Sequence, residues 1–229
     1  GQGTIGLEIL EQLDGKVDTI LCPIGGGGII AGIAVAAKGI NPNIKIVGVQ
    51  TANIPSMQES MKNGEVTTAF KSTTIADGIA VKTPGDVTFE IINELVDEVV
   101  VVEEDEIAQG MLFLMENQKV VAEGAGAVTT AALLSGKYVP KKDENVVCVI
   151  SGGNVDVNTL YRVIGTALTK EARRYSFNTV IQDKPGGLAE LTKIISEYDA
   201  NILSANLSRS SMGGALGSLT AEMVLETFN

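Results

Sequence analysis

Residues 18–37 read DTILCPIGGGGIIAGIAVAA, and their pattern indicates the class of fold. Residues 18–24 are apolar enough to form a strand buried on both faces, and residues 29–38 have the small and apolar side chains of a buried helix. Four glycines, at positions 25–28, join the two elements. A buried strand, a glycine loop and a helix in this order predict one unit of an α/β fold.

Apolar and amphipathic segments alternate around this unit, over about the first 165 residues. Near-continuous apolar strands separated by helices indicate a mostly parallel, open sheet with helices on both faces. We predict strands over residues 18–24, 44–50, 99–102 and 145–150, and helices over residues 4–13, 29–38, 56–62, 84–96, 105–120 and 125–134.

The pattern changes after residue 165, which predicts a boundary between a domain at 1–165 and a second region. Residues 169–174, TKEARR, are charged. We interpret residues 166–174 as a linker and residues 175–229 as a small α+β domain. This domain begins like a ferredoxin-like unit, with strand, helix, strand and strand at residues 177–181, 188–198, 201–208 and 219–227. A closing helix and strand do not follow, and residue 1 opens directly onto a helix, so we expect the chain to be a portion of a longer polypeptide.

The composition argues against several classes of protein. The chain has 229 residues, with 17 Lys and Arg, 28 Asp and Glu and no His, for a net charge of −11. This acidic balance disfavours a nucleic-acid partner, and no apolar stretch of about 18 residues predicts a membrane span. Without histidine, neither a Ser-His-Asp triad nor a Cys-His pair can form. Cys22 and Cys148 lie in apolar runs, which favours reduced core thiols and a cytoplasmic location over disulfides.

The glycine loop is the strongest functional signal. Gly25, Gly26, Gly27 and Gly28 leave their backbone N–H groups uncovered before a helix N-terminus, where the helix dipole attracts an anion. The loop lacks the Lys-Ser/Thr of a P-loop and the spacing of a dinucleotide fingerprint, so we predict that it binds the phosphate of another cofactor. The alternative interpretation is a packing turn where sheet and helix approach closely.

Three further loops carry glycine next to polar groups. Ser151 begins the sequence Ser-Gly-Gly-Asn at the carboxyl end of a predicted strand, where ligands bind in open α/β sheets, although such a turn is also common without any function. Gly78 lies in the loop at residues 76–80. Glu123 precedes a small-residue helix, where its carboxylate either stabilises the helix start or belongs to a site.

Four motifs together indicate a family. CPIGGGGIIAGIA, TIADGIAV, VVAEGAGA and VISGGNVD occur in this order along the chain. In order and separation they resemble the threonine/serine dehydratases, the pyridoxal-phosphate enzymes of the tryptophan-synthase β fold, also called fold type II, and the resemblance covers residues 1–165. The later segment IQDKPGGLAELTKIISEYDANIL resembles an ACT regulatory domain, as attached to single-ACT threonine ammonia-lyases.

The resemblance implies roles for the residues of these motifs. The amides of Gly25 to Gly28 would hold the phosphate of pyridoxal phosphate, and the Ser151 hydroxyl would hydrogen-bond the pyridine nitrogen. Gly78 would line the reactive edge of the cofactor, and Glu123 would lie near its ring. The implied reaction converts L-threonine into 2-oxobutanoate and ammonia, or L-serine into pyruvate. The alternatives are a serine racemase or another β-eliminating enzyme of this fold, and a non-catalytic amino-acid-binding protein.

One element that the resemblance implies does not occur in these 229 residues. In the family, the Schiff-base lysine lies in a Ser-Phe-Lys-x-Arg-Gly motif before the glycine loop. No such motif is present, so we expect that this stretch alone does not catalyse the reaction. Residues 69–72, AFKS, are only superficially similar and follow the loop, so we interpret Lys71 as a surface residue.

The family also has a metal-dependent racemase branch, with acidic residues after the strand that follows the glycine loop. Here residues 49–56 read VQTANIPS, without a carboxylate. This departure favours a dehydratase over a racemase and argues against a divalent metal. A monovalent cation held by backbone carbonyls stays an open alternative.

The ACT-like segment suggests regulation. Asp183, Gly186, Gly187 and Leu188 lie just before or at the start of a predicted helix, whose free amides suit a carboxylate. The resemblance implies that an amino-acid effector binds there between paired domains, whereas the alternative is an ordinary strand-to-helix connection. It also implies a homodimer or homotetramer and allosteric control in amino-acid metabolism, such as isoleucine biosynthesis.

Overall fold

The computed structural model describes residues 1–70, 73–209 and 217–227. The chain divides into two compact units, Gly1–Val163 and Ile164–Asn229. Within the described residues, no helix has both the length and the apolar character needed to cross a membrane.

Strands and helices alternate along the first unit. Short 3₁₀ and π turns lie at Asp77–Ile79 and Leu114–Gln118. The strands are β1 (Thr19–Pro23), β2 (Lys45–Thr51), β3 (Glu98–Val102) and β4 (Val146–Cys148). The helices are α1 (Gly3–Gln12), α2 (Gly28–Ile40), α3 (Ser56–Asn63), α4 (Asp86–Leu95), α5 (Glu104–Phe113), α6 (Gly124–Leu134) and the first part of α7 (Val157–Lys170).

The four strands form one parallel sheet in the order β3-β2-β1-β4. Thr19 of β1 pairs with Lys45 of β2 on one side and with Val146 of β4 on the other. All five residues of β1 are buried, as its continuous apolar sequence predicts. The prediction of a mostly parallel sheet within an α/β fold is confirmed.

Helices flank the sheet on both faces. Ile20 and Cys22 belong to a core that includes buried residues of α1, α2 and α4. Leu21 points to the opposite face, because successive side chains of a strand alternate. Helix α6 contacts β1 and β2 and packs against α5. The β1 strand is therefore at the centre of the unit, and the glycine loop follows directly from it.

Most predicted elements differ from the observed ones by a few residues at their ends, and two are clearly shorter than predicted. The helix predicted over residues 105–120 is α-helical only to Phe113 and ends in the π turn, ahead of Lys119 at φ +59°. The strand predicted over residues 145–150 is regular only in β4. The ladder between β1 and β4 stops because Pro23 has no N–H to donate, and the Val149 carbonyl accepts from the Thr129 hydroxyl instead, at 3.2 Å.

The second unit has the order strand, helix, strand, strand that the sequence predicts. Its strands form an antiparallel sheet in the order β5-β7-β6, and α8 packs against β5. Ile195 of α8 is buried together with Ala221, Met223 and Leu225 of the central strand. The elements are β5 (Arg174–Gln182), α8 (Gly187–Glu197), β6 (Asn201–Ser208) and β7 (Ser218–Glu226).

The segment interpreted as a linker, residues 166–174, is not an extended connection. Helix α7 continues to Lys170, and β5 already begins at Arg174, where it pairs with Glu226. Val163 and Ala167 are buried four residues apart, which is the spacing of one helix face.

Candidate functional site

A cavity of about 280 Å³ lies at the carboxyl end of β1, which is where open α/β sheets bind ligands. The structure brings all of the site residues predicted in the first unit to this one cavity. Its lining consists of Gln2, Pro23, Gly25, Gly26, Gly27, Gly28, Ile29, Gly78, Ile79, Glu123, Ala125 and Ser151. Segments more than one hundred residues apart in the sequence thus share one concave surface.

The four glycines of the loop differ in how much space surrounds them. Gly27 has φ +94°, and a Cβ there would lie 2.6 Å from Cδ1 of Ile92 and 3.0 Å from Cβ of Thr88. A Cβ at Gly25 would lie 3.1 Å from the Cα of Ile79. At Gly28, by contrast, a Cβ would meet nothing within 4 Å. Close packing therefore accounts for glycine at two positions, but at Gly28 the missing side chain leaves open space beside the cavity.

The backbone of the loop presents hydrogen-bond donors. Helix α2 begins at Gly28, and Gly27 is its N-cap residue, whose carbonyl accepts the N–H of Ala31 at 3.0 Å. In the described part of the chain, no hydrogen-bond acceptor pairs with the amide N–H groups of residues 25–28. Unpaired amides and the positive end of the helix dipole favour an anion with several oxygens, such as a phosphate.

Glu123 turns its carboxylate towards the site. It is the N-cap residue of α6, yet its side chain makes no capping hydrogen bond. Its Oε1 would lie 3.4 Å from a Cβ at Gly78, and a Cβ at Gly152 would collide with the same oxygen. The Glu123 N–H also donates to the Gly152 carbonyl, at 3.1 Å. The Glu123 carboxylate therefore lies close to the loop of Gly78 and to the loop of Ser151, and its role stays a prediction.

Glu104 is a residue of this region that the sequence reasoning missed. Its carboxylate accepts the Ile75 N–H at 2.7 Å and the Thr51 hydroxyl at 3.0 Å, which attaches the loop containing Gly78 to the end of β2. The Ile75 carbonyl in turn packs so closely on Gly124 that a Cβ there would collide with it. An acidic residue directly after a strand, at the same sheet edge as the glycine loop, was the available signal.

Residues 49–56, at the end of β2 and just after it, contain no carboxylate, and two of their polar side chains form hydrogen bonds within the protein. The buried Gln50 side chain accepts the N–H of Gln58 at 2.9 Å, and the Ser56 hydroxyl donates to the Val81 carbonyl at 2.7 Å. Across the described residues, no group of three or more His, Cys, Asp or Glu side chains could hold a metal ion.

The predicted effector residues lie together in the second unit. Gly186 is the N-cap residue of α8 at φ +91°, and a Cβ on Gly187 would collide with the Gln182 carbonyl. Asp183 forms an ion pair with Arg209, with Nε and Oδ2 2.8 Å apart. The Arg209 guanidinium holds the pKa of the Asp183 carboxyl below its usual range. Leu188 is partly exposed, and the binding of an effector by these residues stays a prediction.

The comparison with known families assigns the first unit. A family model described as pyridoxal-phosphate dependent enzyme matches residues 1–152. The chain belongs to the pyridoxal-phosphate dependent enzyme family. The matched region contains the glycine loop, Gly78, Glu123 and Ser151, and thus all the cavity residues predicted from the sequence.

Individual members of the family are similar over larger parts of the chain. A Thermotoga maritima protein named L-threonine ammonia-lyase is 49% identical over 227 residues, which cover 99% of this chain and 56% of that protein. The chain thus spans just over half the length of this relative.

Two solved structures resemble the chain in fold and in sequence. A processed threonine deaminase isoform 2 from Solanum lycopersicum has a TM-score of 0.67 at 37% identity, covering 73% of this chain and 49% of that one. A maize serine racemase has a TM-score of 0.66, also at 37% identity, covering 75% of this chain and 53% of that one.

The cofactor of the family fits the residues of the cavity. Its phosphate needs hydrogen-bond donors and room, which the free amides and the open space at Gly28 provide. Ser151 supplies a hydroxyl on the same cavity. The roles of the individual residues stay predictions, as does the surface role of Lys71, because residues 71 and 72 lie outside the described residues.

Proposed function

We propose that the protein is a pyridoxal-phosphate-dependent ammonia-lyase that converts L-threonine into 2-oxobutanoate and ammonia, with L-serine as a second substrate. The observation that carries this proposal is that the glycine loop and the Ser151 hydroxyl line one cavity. The 49% identity to a protein named L-threonine ammonia-lyase supports the choice of reaction and of substrate.

In this proposal, the amides of Gly25 to Gly28 hold the cofactor phosphate and the Ser151 hydroxyl faces the pyridine nitrogen. Pyridoxal phosphate, when bound, supplies an electron sink for negative charge at the α-carbon of the amino acid. A neutral hydroxyl, unlike a carboxylate, gives no charge that would keep the pyridine nitrogen protonated. Ser151 therefore favours rapid loss of the β-hydroxyl group over reactions that need a long-lived carbanion.

Glu123 has a supporting role in this proposal. Its carboxylate lies between the loops of Gly78 and Gly152, and no backbone amide of α6 uses it as a cap. The side chain fills the space between the two loops, since a Cβ at Gly152 would collide with its Oε1. The residue also lies on the wall of the cavity, beside the site proposed for the cofactor ring.

The test uses the protein as its gene encodes it, because the family's lysine motif does not occur in these 229 residues. We expect purified protein to be yellow and to release 2-oxobutanoate from L-threonine. Ser151→Ala is expected to lower the rate, and Ser151→Asp to lower it further while increasing transamination. Colourless protein that takes up no added pyridoxal phosphate would instead favour a non-catalytic amino-acid-binding protein.

Serine racemase is the second candidate, because the maize serine racemase has nearly the same TM-score as the threonine deaminase. The hydrogen bonds of Gln50 and Ser56 within the protein, and the absence of carboxylates at residues 49–56, favour the ammonia-lyase. A chiral assay with L-serine distinguishes the two, since a racemase yields D-serine and an ammonia-lyase yields pyruvate.

We further propose that the second unit is an ACT domain that binds an amino-acid effector at Asp183, Gly186, Gly187 and Leu188. The start of α8 supplies free amides for the effector carboxylate. Titration calorimetry with isoleucine, valine, threonine and serine tests this proposal, and no heat from any of them would contradict it.

The remaining proposals concern the setting of the enzyme. We propose that the protein is a cytoplasmic homodimer or homotetramer that takes part in amino-acid metabolism, such as isoleucine biosynthesis. We also propose that its backbone carbonyls can bind a monovalent cation. Light scattering gives the oligomeric state, and a comparison of activity in potassium, sodium and tetramethylammonium salts tests the cation.

A further inference from the structure

Thr88 contacts the glycine loop but is not among the residues that line the cavity. It lies in the first turn of α4, and its Oγ1 is 2.5 Å from the Gly26 carbonyl oxygen and 2.9 Å from the Gly85 carbonyl oxygen. The Gly85 carbonyl already accepts the N–H of Phe89 at 2.9 Å. The shorter contact therefore assigns the hydroxyl proton of Thr88 to the Gly26 carbonyl.

The hydrogen bond from Thr88 to the Gly26 carbonyl also determines the direction of the Gly27 N–H. The peptide bond between Gly26 and Gly27 is trans, so the Gly26 carbonyl and the Gly27 N–H point in opposite directions. With the carbonyl held towards α4, the Gly27 N–H points away from α4. Gly27 lines the cavity, and its N–H has no acceptor among the described residues.

A loop of four glycines needs such an anchor. Glycine has no side chain to restrict rotation of the neighbouring peptide planes, so a free tetraglycine segment samples many orientations of its N–H groups. Donors that are already oriented before a ligand arrives bind it more tightly, because the ordering cost is not incurred on binding. Among the residues that the structure describes, the Thr88 hydroxyl is the only side-chain hydroxyl that donates to a carbonyl of this loop, that of Gly26.

We propose that Thr88 is a positioning residue for the cofactor phosphate. Its hydroxyl holds the Gly26–Gly27 peptide plane so that the Gly27 N–H faces the phosphate group. This inference rests on the proposed function, since it takes pyridoxal phosphate as the ligand of the cavity. Thr88 does not contact the cofactor in this proposal and acts only through the backbone of the loop.

The experiment compares Thr88→Val, which keeps the shape but removes the hydroxyl, with Thr88→Ser, which keeps the hydroxyl. Dissociation constants for pyridoxal phosphate and for pyridoxal, which has no phosphate, are measured by absorbance titration of the apo form of the protein as its gene encodes it. We expect Thr88→Val to weaken the binding of pyridoxal phosphate about tenfold. A loss of this size corresponds to one hydrogen bond to a charged group, here from the Gly27 N–H to the phosphate. Binding of pyridoxal should not change, and Thr88→Ser should bind both ligands like the wild type.

Melting curves show whether each variant is folded, and Thr88→Ala replaces Thr88→Val if the valine variant does not fold. Thr88→Val that binds pyridoxal phosphate like the wild type would overturn the inference and leave the proposed function intact. Equal losses for pyridoxal phosphate and pyridoxal would also overturn it, because the effect would then not involve the phosphate. Wild-type protein that binds neither ligand would overturn the proposed function as well.

Discussion

At the scale of single residues, Gly27 and Gly28 are neighbours with different reasons for being glycine. Gly27 is at φ +94° and has Ile92 and Thr88 where a side chain would be, whereas Gly28 has open space. Packing against α4 explains glycine at the first position, and the phosphate ligand that we propose would explain it at the second. The two substitutions are therefore expected to affect different properties of the protein.

Gly27→Ala is expected to lower the free energy of unfolding by about 2–4 kcal/mol, from backbone strain at positive φ and from overpacking. Gly28→Ala is expected to leave stability unchanged, because its Cβ meets nothing within 4 Å, but to weaken the binding of pyridoxal phosphate by about tenfold. Urea unfolding and ligand titration measure the two effects. Equal stability of both variants would contradict this assignment.

Glu144 is a second residue whose surroundings have a measurable consequence, at the opposite end of the sheet from the cavity. Its carboxylate accepts the hydroxyls of Thr19 and Tyr138, each at 2.5 Å, and the N–H of Lys141 at 2.6 Å. These hydrogen bonds lower the pKa of Glu144 from 4.5 to about 2. A carboxyl with a lowered pKa stabilises the folded state above its unfolded pKa, and this contribution is lost as the pH falls.

We therefore expect the stability difference between wild type and Glu144→Gln to be greatest above pH 5 and to shrink as the pH falls from about 4.5 to about 2. Screening by solvent reduces this difference in stability, because the Glu144 side chain is only partly buried. Urea unfolding at a series of pH values measures it. Asp143→Asn, at the exposed neighbouring position, is the control, and an equal pH dependence for both variants would contradict the role of Glu144.

At the scale of elements, the loops around the cavity are held by hydrogen bonds that join distant segments. Glu104, at the start of α5, attaches the Ile75 N–H to the Thr51 hydroxyl at the end of β2. The Ile75 carbonyl lies on Gly124, at the start of α6. The Glu104 carboxylate thus joins the loop of Gly78 to α5 and β2, and the Ile75 carbonyl brings the same loop against α6.

Glu104→Gln is expected to lower the free energy of unfolding by about 1–3 kcal/mol, because its NH₂ group cannot accept from a second donor. The loop at residues 73–80 should also exchange its amide hydrogens faster, as hydrogen–deuterium exchange would show. Glu90→Gln, at an exposed position of α4, serves as the control. Unchanged exchange in this loop would show that the carboxylate does not hold it.

At the scale of the whole molecule, the reactivity of the Cys22 and Cys148 thiols shows whether the sheet of the first unit is intact. Cys22 is fully buried in β1, and Cys148 is partly buried in the neighbouring strand β4. Burial raises the pKa of Cys22 well above its usual range and that of Cys148 to about 11. The thiolate is the reactive form, so both groups are expected to be inert while the sheet is intact.

We expect iodoacetamide at pH 8 to leave both cysteines unmodified in native protein and to modify both in urea, with a midpoint that follows unfolding. Val139→Cys, at a site that is 74% exposed, should react at once in the native state and provides the matched control. Mass spectrometry identifies each modified residue. Rapid native labelling of Cys22 would mean that the sheet opens far more easily than its burial indicates.

Local patterns of residues predicted the parallel sheet and the glycine loop after β1, because a strand buried on both faces is continuously apolar and a glycine run marks a turn. The grouping of Gly78, Glu123 and Ser151 with this loop was predicted from the resemblance of four motifs to a known family. Three features became apparent only in three dimensions: Gly27 packs against Ile92, β4 ends where Pro23 lacks an N–H, and Glu104 and Thr88 hold the loops of the site. Each of these depends on distances between residues that are far apart in the chain. A local pattern cannot specify such distances, since they are fixed only when the helices pack on the sheet.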